Sequence, residues 1–192
     1  MTLAGNLGLA EKYRPRSLDE VVGQEQIVSF LADEIGRRAG RGILFWGRTG
    51  CGKSCLAAIY AAGLLCGNNS SRPCNRQDCE SCEGLRVGNH PNFYPLRHGA
   101  DDIRFAMEIN SVGYYGSGAA VVLIDQAQLM SERAFEIMHE QFARPNRGVT
   151  HILCVEELEE IPRKTRELFW PVQVRAPDVA SGRKYLDRLC RL

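Results

Sequence analysis

The chain alternates between two hydrophobic patterns, which predict strands and helices in turn. Short stretches rich in apolar and β-branched residues predict β-strands at residues 43–46, 92–96, 119–124, 149–155 and 172–175. The run at 43–46 is bounded by glycines and is expected to be buried. Between the strands, apolar residues recur at helical spacing, and this pattern predicts α-helices at residues 24–39, 54–65, 101–110, 131–142 and 163–169. Because strands that are separated by helices usually pair in parallel, the sequence predicts an α/β fold with a five-stranded parallel sheet flanked by helices.

Capping and breaking residues set the boundaries of several elements. Ser131 is placed to cap the N-terminus of the helix that follows it, and Gly40 is placed to end the helix over residues 24–39. Pro171 stands just before the last strand, which is therefore expected at an edge of the sheet. The glycine-rich stretch GYYGSG at residues 113–118 predicts a loop.

The composition is that of an ordinary globular protein. Of the 192 residues, 44% are hydrophobic and 24% are charged, and the length suits one sizeable domain with the start of a second. Lysine and arginine number 24 against 23 aspartate and glutamate residues, so the net charge of +1 argues neither for nor against nucleic acid. The sequence has no run of 18 apolar residues and no signal peptide, so we expect a cytoplasmic protein without a membrane segment.

A glycine-rich motif, GRTGCGKS, occupies residues 47–54, between the first predicted strand and the helix after it. It matches the P-loop pattern G-x-x-x-x-G-K-[ST], in which glycines let backbone amides point at phosphate and the helix N-terminus adds positive charge. Lys53 is expected to reach the β- and γ-phosphates, and Ser54 to hold Mg²⁺. The sequence therefore predicts binding of ATP or ADP by Gly47, Arg48, Thr49, Gly50, Cys51, Gly52, Lys53, Ser54 and Cys55.

A second candidate motif, VVLIDQAQ at residues 121–128, ends a predicted strand. Parallel sheets bind ligands at the carboxyl ends of their strands, so Asp125 is expected to share Mg²⁺ with Ser54. Many ATPases have a glutamate at the next position to activate water, but here it is Gln126, which cannot accept a proton. We therefore interpret Lys53, Asp125 and Gln126 as the catalytic positions and expect slow or absent ATP hydrolysis.

Four of the eight cysteines lie close together in the sequence, with the spacing C-x7-C-x4-C-x2-C between a helix and a strand. Four thiolates suit the tetrahedral coordination of Zn²⁺, and the segment around them has almost no apolar residues to build its own core. Zinc is the expected ligand, and a redox pair or unrelated free thiols are the alternatives. The predicted zinc ligands are Cys66, Cys74, Cys79 and Cys82.

The segment EKYRPRSLDEVVGQEQI at residues 11–27 resembles the start of clamp-loader AAA+ subunits, both replication factor C and the bacterial DNA polymerase III gamma/tau subunit. GRTGCGKS, the cysteines and VVLIDQAQLMS (121–131) follow in the order of that family, and the cysteines make gamma/tau the more similar of the two. The resemblance implies an AAA+ domain over residues 1–177, with a zinc module inserted at 66–82 and the start of a lid domain at 178–192.

The resemblance also implies ligand contacts and partners. The adenine would lie near Tyr13, Pro15, Val21 and Val22. The partners would be other AAA+ clamp-loader-like subunits and, through the assembly, a sliding clamp and primer-template DNA. The implied function is a nucleotide-dependent assembly switch in DNA replication.

The chain departs from the family pattern at three places, of which Gln126 is the first. The second is the γ-phosphate sensor near the end of the next strand, where the family usually has threonine or asparagine and this chain has Val155, Glu156 or Glu157. The third is the arginine of a Ser-Arg-Cys triplet, since the corresponding residues 167–171 read ELFWP. Loss of an arginine that reaches a neighbour's nucleotide is expected to lower hydrolysis by orders of magnitude.

Two functions from different classes remain open from the sequence. One is a clamp-loader-like ATPase, slow in turnover, that couples ATP to assembly. The other is a non-hydrolysing structural or interaction subunit that keeps the AAA+ fold. Glu156 or Glu157 is the candidate to replace the missing base, and the alternative is that both belong to a solvated acidic loop.

Overall fold

The computed structural model describes residues 8, 12–38, 40–68, 73–74, 79–96, 99, 104–106, 108–109, 119–142 and 148–190. The helices assigned there are α1 (Glu25–Arg37), α2 (Lys53–Leu65), α3 (Glu80–Arg86), α4 (Glu132–Phe142), α5 (Arg163–Arg166) and α6 (Val179–Leu189). The strands are β1 (Ile43–Trp46), β2 (Phe93–Leu96), β3 (Ala120–Ile124), β4 (Val149–Val155) and β5 (Trp170–Gln173). Short 3₁₀ helices lie at Leu18–Glu20, Ala127–Leu129 and Leu158–Glu160.

The strands form one sheet in the order β2-β3-β4-β1-β5, and every neighbouring pair within the described residues is parallel. Strand β1 lies between β4 and β5, with Phe45 opposite Cys154 on one side and Val172 on the other. Strands β3 and β4 are buried along their whole length, which explains why their sequences are nearly continuous apolar runs. The predicted α/β fold with a parallel sheet of these five strands is confirmed.

Helices cover both faces of the sheet. Because side chains along a strand alternate between the two faces, the hydrophobic core is divided into two clusters. Phe45 and Val121 pack into one buried cluster with residues of α1 and α2. Leu44 and Val122, each one residue away, pack into a second buried cluster that includes Met138 of α4. Neighbouring residues of a strand point to opposite faces, so the two clusters lie on opposite sides of one sheet.

Most element boundaries differ from the prediction by only a few residues. Helix α1 ends at Arg37 because Arg38 adopts a left-handed conformation with φ 48° and ψ 38°. Strand β5 begins at Trp170 rather than Val172, and Pro171 lies inside it. An edge strand tolerates this proline because only one side of the strand needs backbone donors. The Ser131 cap is confirmed, since its Oγ accepts a hydrogen bond from the Ala134 amide at 3.2 Å.

Helix α3 was not predicted, because residues 67–84 lack an apolar repeat. The predicted helix over residues 101–110 is helical at 104–106 and 108–109, and its other residues lie outside the described part of the chain. The predicted loop at 113–118 also lies outside the described residues. Among the helices that the structure describes, none has both the length and the apolar character needed to cross a membrane.

The topology brings three connections to one edge of the sheet. The loops after β1, β3 and β4 all leave the carboxyl ends of neighbouring parallel strands. These loops carry Gly47, Asp125 and Glu156. Ligands of open parallel sheets bind in the crevice beyond these strand ends, and the candidate site lies there.

Candidate functional site

The loop after β1 has a backbone that only glycine can adopt at its first position. Gly47 has a φ of 146°, and a Cβ added there would lie 2.1 Å from the backbone oxygen of Val174. Gly52, just before α2, has a φ of 104°. The chain therefore turns tightly from the strand into the helix, and the N-terminus of α2 follows directly on the loop.

Lys53 lies across this loop. Its Nζ donates hydrogen bonds to the backbone oxygen of Gly47 at 2.6 Å and to that of Arg48 at 3.1 Å. These bonds hold a positive charge beside the loop backbone, next to the N-terminus of α2. The arrangement favours a polyphosphate, because both the ammonium group and the helix N-terminus attract negative charge.

Ser54 and Asp125 form the candidate magnesium site. The Ser54 Oγ donates a hydrogen bond of 2.6 Å to Oδ2 of Asp125, which connects the first turn of α2 with the end of β3. The other carboxylate oxygen, Oδ1, accepts the backbone amide of Gln126 at 3.0 Å, and this contact orients the carboxylate. A hydroxyl and a carboxylate oxygen on adjacent elements fit Mg²⁺, which prefers oxygen ligands and keeps several waters.

Gln126 follows the aspartate in a strained conformation. Its φ of 55° and ψ of 45° lie in the left-handed region, and it is one of two described residues other than glycine with a positive φ. It is exposed and lines the same cavity as Lys53 and Asp125. It therefore lies beside Asp125 at the cavity, where an amide could orient water but cannot remove a proton.

The three residues that the sequence offered for the sensor position have different surroundings. Val155 is buried at the end of β4. Glu157 forms a reciprocal cap with Glu160 on the 3₁₀ helix that follows. Glu156 turns towards the phosphate loop, where Oε1 accepts a hydrogen bond of 2.6 Å from the Thr49 hydroxyl. Of the two acidic candidates, only Glu156 has a contact with the loop among the hydrogen bonds of the described residues.

A cavity of about 880 Å³ contains this chemistry. Its floor is the phosphate loop with Asp125 and Glu156, and α6 contributes one wall through Tyr185, Leu186 and Leu189. The Tyr185 hydroxyl donates a hydrogen bond of 2.5 Å to the backbone oxygen of Tyr13. The C-terminal helix therefore lies over the site, although the division of the chain at residue 177 stays a prediction.

The four predicted adenine contacts lie at two adjoining cavities. Tyr13 and Pro15 line the large cavity, whereas Val21 and Val22 line a neighbouring one of about 250 Å³. Pro15 and Tyr185 line both. Both cavities are also lined by Gly50 and Gly52 of the phosphate loop, and the contact of the four residues with adenine stays a prediction.

Three cysteines near the loop are not arranged for covalent chemistry. Cys51 is buried, and the Cys55 thiol donates a hydrogen bond of 3.2 Å to the backbone oxygen of Pro15. Cys154 is fully buried at the end of β4. Burial raises the pKa of its thiol well above the ordinary value, and the nearby carboxylate of Asp125 raises it further. A thiol that remains protonated is a poor nucleophile.

The region where the family has its arginine is apolar in this chain. Leu168 and Phe169 pack against the second core cluster, and Trp170 begins β5. The nearest arginine before them, Arg166, is part of α5, and Arg163 pairs with Glu167 at 3.0 Å. No cation of this segment occupies the position of the Ser-Arg-Cys arginine.

The four predicted zinc ligands meet in space. Their Sγ atoms all lie within 4.8 Å of one another, with 3.5 Å between Cys74 and Cys82 and 3.7 Å between Cys82 and Cys66. Tetrahedral zinc with bonds of about 2.3 Å requires sulfurs ~3.8 Å apart, so this geometry is compatible with zinc. All eight cysteines belong to the described residues, and none of them forms a disulfide.

The cluster connects the end of α2 with the start of α3. Cys66 follows α2, Cys79 precedes α3, and Cys82 lies in the first turn of α3. Arg38 donates hydrogen bonds to the backbone oxygens of Leu64 at 2.7 Å and Cys66 at 2.8 Å, which fixes the end of α2 from the side of α1.

Residues 23–165 match the family model described as DNA polymerase III, delta subunit. The chain belongs to this family. The match covers most of the chain and includes the phosphate loop, the cysteine cluster, Asp125 and Glu156. The chain is therefore a clamp-loader-like AAA+ domain, and the resemblance noted in the sequence is confirmed.

Curated relatives of this domain include DNA polymerase III subunits. The tau/gamma subunit of Haemophilus influenzae is 28% identical over 160 residues, which cover 80% of this chain and 23% of that protein. The gamma subunit of Buchnera aphidicola is 29% identical over 80% of this chain and 43% of that protein. The protein STICHEL-like 2 of Arabidopsis thaliana is 31% identical over 81% of this chain and 19% of its own length. The chain thus spans less than half of each of these relatives.

Solved structures show the same AAA+ fold. The RuvB Holliday junction branch migration motor of Thermotoga maritima superposes with a TM-score of 0.66 at 18% identity, over 93% of this chain and 54% of that one. A DNA polymerase III gamma subunit-related protein of Thermotoga maritima gives a TM-score of 0.55 at 13% identity, over 78% of this chain and 46% of that one. At these identities the likeness supports the fold alone.

Sequence reasoning missed part of the wall of this AAA+ site. Gln128, Cys154 and the apolar residues of α6 line the cavity, and none of them was predicted to do so. For α6 a signal existed, because Tyr185, Leu186 and Leu189 are spaced to lie on one face of a helix. The spacing predicts an apolar face but not what that face contacts. In the structure it lines the cavity, and Leu186 is still 60% exposed.

Proposed function

We propose that this chain is an ATP- and ADP-binding clamp-loader-like domain of the DNA polymerase III gamma/tau type that acts as a nucleotide-dependent assembly switch in DNA replication. The observation that carries this proposal is the hydrogen bond of 2.6 Å between Ser54 and Asp125, beside the Lys53 loop and inside the large cavity. It joins the two residues that would hold Mg²⁺ in a working nucleotide site.

In this proposal each group has one task in binding. Lys53 and the backbone amides of residues 47–54 bind the β- and γ-phosphates. Ser54 and Asp125 hold Mg²⁺, which would neutralise part of the phosphate charge. Tyr13, Pro15, Val21 and Val22 contact the adenine, and α6 shields it from water.

Hydrolysis by the isolated chain is proposed to be slow or absent. Gln126 provides no base, and the segment at 167–171 provides no arginine to a neighbouring site. An arginine supplied across an interface is worth about 10³–10⁵ in rate, and a general base about 10²–10⁴. A partner subunit can still supply its own arginine to this site.

Changing Gln126→Glu is expected to raise the rate of ATP hydrolysis at least tenfold, because it restores a carboxylate beside the attacking water. The gain is expected to be larger with a partner subunit that supplies an arginine. Steady-state phosphate release, measured with the mutant alone and with the isolated partner, checks this. The matched control is Gln126→Asn, which stays neutral and should remain at the wild-type rate. Rapid hydrolysis by the unmodified chain contradicts the proposal, and Glu156→Gln and Glu157→Gln would then locate the base.

The proposed partners are other AAA+ clamp-loader-like subunits and, through the assembly, a sliding clamp and primer-template DNA. The support is the family, since curated relatives of this domain include subunits of DNA polymerase III. Purification of the native protein with its bound partners tests this, and mass spectrometry of the complex identifies them. A cytoplasmic location also stays a prediction.

A second function, a non-hydrolysing structural subunit, is favoured by Gln126 and by the apolar segment at 167–171. The two functions differ in one measurable property. A switch assembles with its partners to an extent that depends on whether ATP or ADP is present, whereas a structural subunit assembles equally with both or with neither. Light scattering of the reconstituted complex distinguishes them.

We also propose that Cys66, Cys74, Cys79 and Cys82 bind one structural Zn²⁺. The support is the short distance between their four Sγ atoms, all within 4.8 Å of one another. The short helix α3 gives a structural reason why a metal would be needed there. Helix α3 has seven residues, and none of them is buried. A helix of this length is unstable without an external constraint, which two zinc ligands at its start would supply.

A further inference from the structure

Glu156 places a carboxylate at the mouth of the phosphate loop. It is bonded twice to this loop, because its backbone oxygen accepts the Gly47 amide at 3.1 Å and its Oε1 accepts the Thr49 hydroxyl at 2.6 Å. Thr49, Lys53 and Glu156 all line the large cavity. The carboxylate therefore lies on the side of the loop where phosphates would bind.

We propose that Glu156 sets the nucleotide preference of this site, so that the chain holds ADP more tightly than ATP. This inference rests on the proposed function, because it concerns how the same site distinguishes two nucleotides. A neutral amide or hydroxyl side chain at this position could donate a hydrogen bond to a third phosphate. A carboxylate can only accept one.

The charge balance at the loop explains the preference. Two carboxylates, Asp125 and Glu156, line the cavity together with two cations, Arg14 and Lys53, so the site has no excess of positive charge before a nucleotide binds. Mg²⁺ between Ser54 and Asp125 would compensate the first carboxylate, whereas Glu156 is bonded to Thr49 of the loop. The γ-phosphate adds about one further negative charge near Glu156, whereas ADP lacks it.

The expected size of the effect follows from Coulomb's law. At a separation of about 6 Å and an effective dielectric constant of about 40, between the values for a protein surface and for water, one extra unit charge changes an affinity by about tenfold. Because the site is open to solvent, salt should screen part of this effect.

The local backbone keeps Glu156 in place. Strand β4 ends at the buried Val155, and the reciprocal cap between Glu157 and Glu160 fixes the turn that follows. Glu156 lies between these two fixed points, and its backbone oxygen is held by the loop itself. The backbone at Glu156 is therefore fixed close to the loop, and the hydrogen bond from the Thr49 hydroxyl orients the carboxylate.

The test compares three proteins by calorimetric titration with Mg²⁺-ADP and with a non-hydrolysable Mg²⁺-ATP analogue. They are the wild type, Glu156→Gln, which has the same shape without the charge, and Glu159→Gln. Glu159 is the matched control, since it is exposed in the 3₁₀ helix Leu158–Glu160 of the same acidic run. Circular dichroism of each variant verifies that it is folded.

We expect the wild type and Glu159→Gln to bind ADP about tenfold more tightly than the ATP analogue, and Glu156→Gln to bind the two within about twofold. Raising the salt concentration should narrow the difference in the wild type and leave Glu156→Gln unchanged. Three results would overturn the inference and leave nucleotide binding intact. The wild type would bind both nucleotides with equal affinity, Glu156→Gln would keep the wild-type preference, or Glu156→Gln would bind the ATP analogue more weakly than the wild type does. If none of the three proteins binds either nucleotide, the proposed function itself fails.

Discussion

Replacing Lys53 by alanine is expected to abolish measurable binding of both ATP and ADP. The ammonium group of Lys53 is held beside the loop by the backbone oxygens of Gly47 and Arg48, where it would contact two phosphates. Each charge-assisted hydrogen bond contributes about 1.5–3 kcal/mol, so the loss of two weakens binding about a hundredfold or more. Calorimetric titration with each nucleotide in the presence of Mg²⁺ measures this loss.

The control for this change is Lys164→Ala, which removes the same charge from the exposed helix α5. It should bind nucleotide like the wild type. Melting temperatures provide a second measurement, because a ligand that binds only the folded state stabilises it. Nucleotide should raise the melting temperature of the wild type and of Lys164→Ala, but not that of Lys53→Ala. Equal heats of binding for the wild type and Lys53→Ala would contradict the assignment of the loop.

Replacing Cys79 by serine is expected to release the zinc ion. Elemental analysis should find about one zinc per wild-type chain and much less than one per mutant chain. Structural zinc contributes about 10–16 kcal/mol of binding free energy in small peptides, so residues that depend on it lose their order when it leaves. Hydrogen exchange over α3 should therefore become fast in the mutant.

The matched control is Cys190→Ser, because Cys190 is exposed and lies outside the cluster. It should keep both the zinc and the slow exchange of α3. Nucleotide binding by Cys79→Ser should persist, since Lys53 and Ser54 lie at the opposite end of α2 from Cys66 and the helix between them is mostly buried. A folded wild-type protein without metal would refute the zinc assignment, and loss of nucleotide binding would show that the two sites are coupled.

The fold and the centre of the site could be predicted because they follow from short, local patterns. The five strands could be placed from short stretches rich in apolar and β-branched residues, and GRTGCGKS predicts a strand, a loop and a helix within a few residues. Asp125 was placed correctly beside Ser54, because parallel strands end at the same edge of the sheet.

The rest depends on contacts between distant residues, which a pattern does not encode. The sequence left Glu156 and Glu157 equivalent, and the structure separates them because a local cap holds Glu157 while Thr49, far away in the chain, contacts Glu156. Helix α3 was missed because it has no buried residue and hence no hydrophobic period. The early start of β5 was missed because Pro171 was taken as a boundary, whereas an edge strand accommodates it.

The position of β1 in the sheet has a consequence for the order in which the protein folds during synthesis. Both neighbours of this strand, β4 and β5, come more than one hundred residues later in the chain. The loop that follows β1 is also completed late, since the Gly47 amide bonds to Glu156 and the Val174 amide bonds to Trp46. Pairing of such distant segments is slow because of the entropy of loop closure. A nascent chain that has passed the P-loop but not yet reached Val174 therefore carries the nucleotide motif without a nucleotide site, and it exposes an unpaired apolar strand to chaperones.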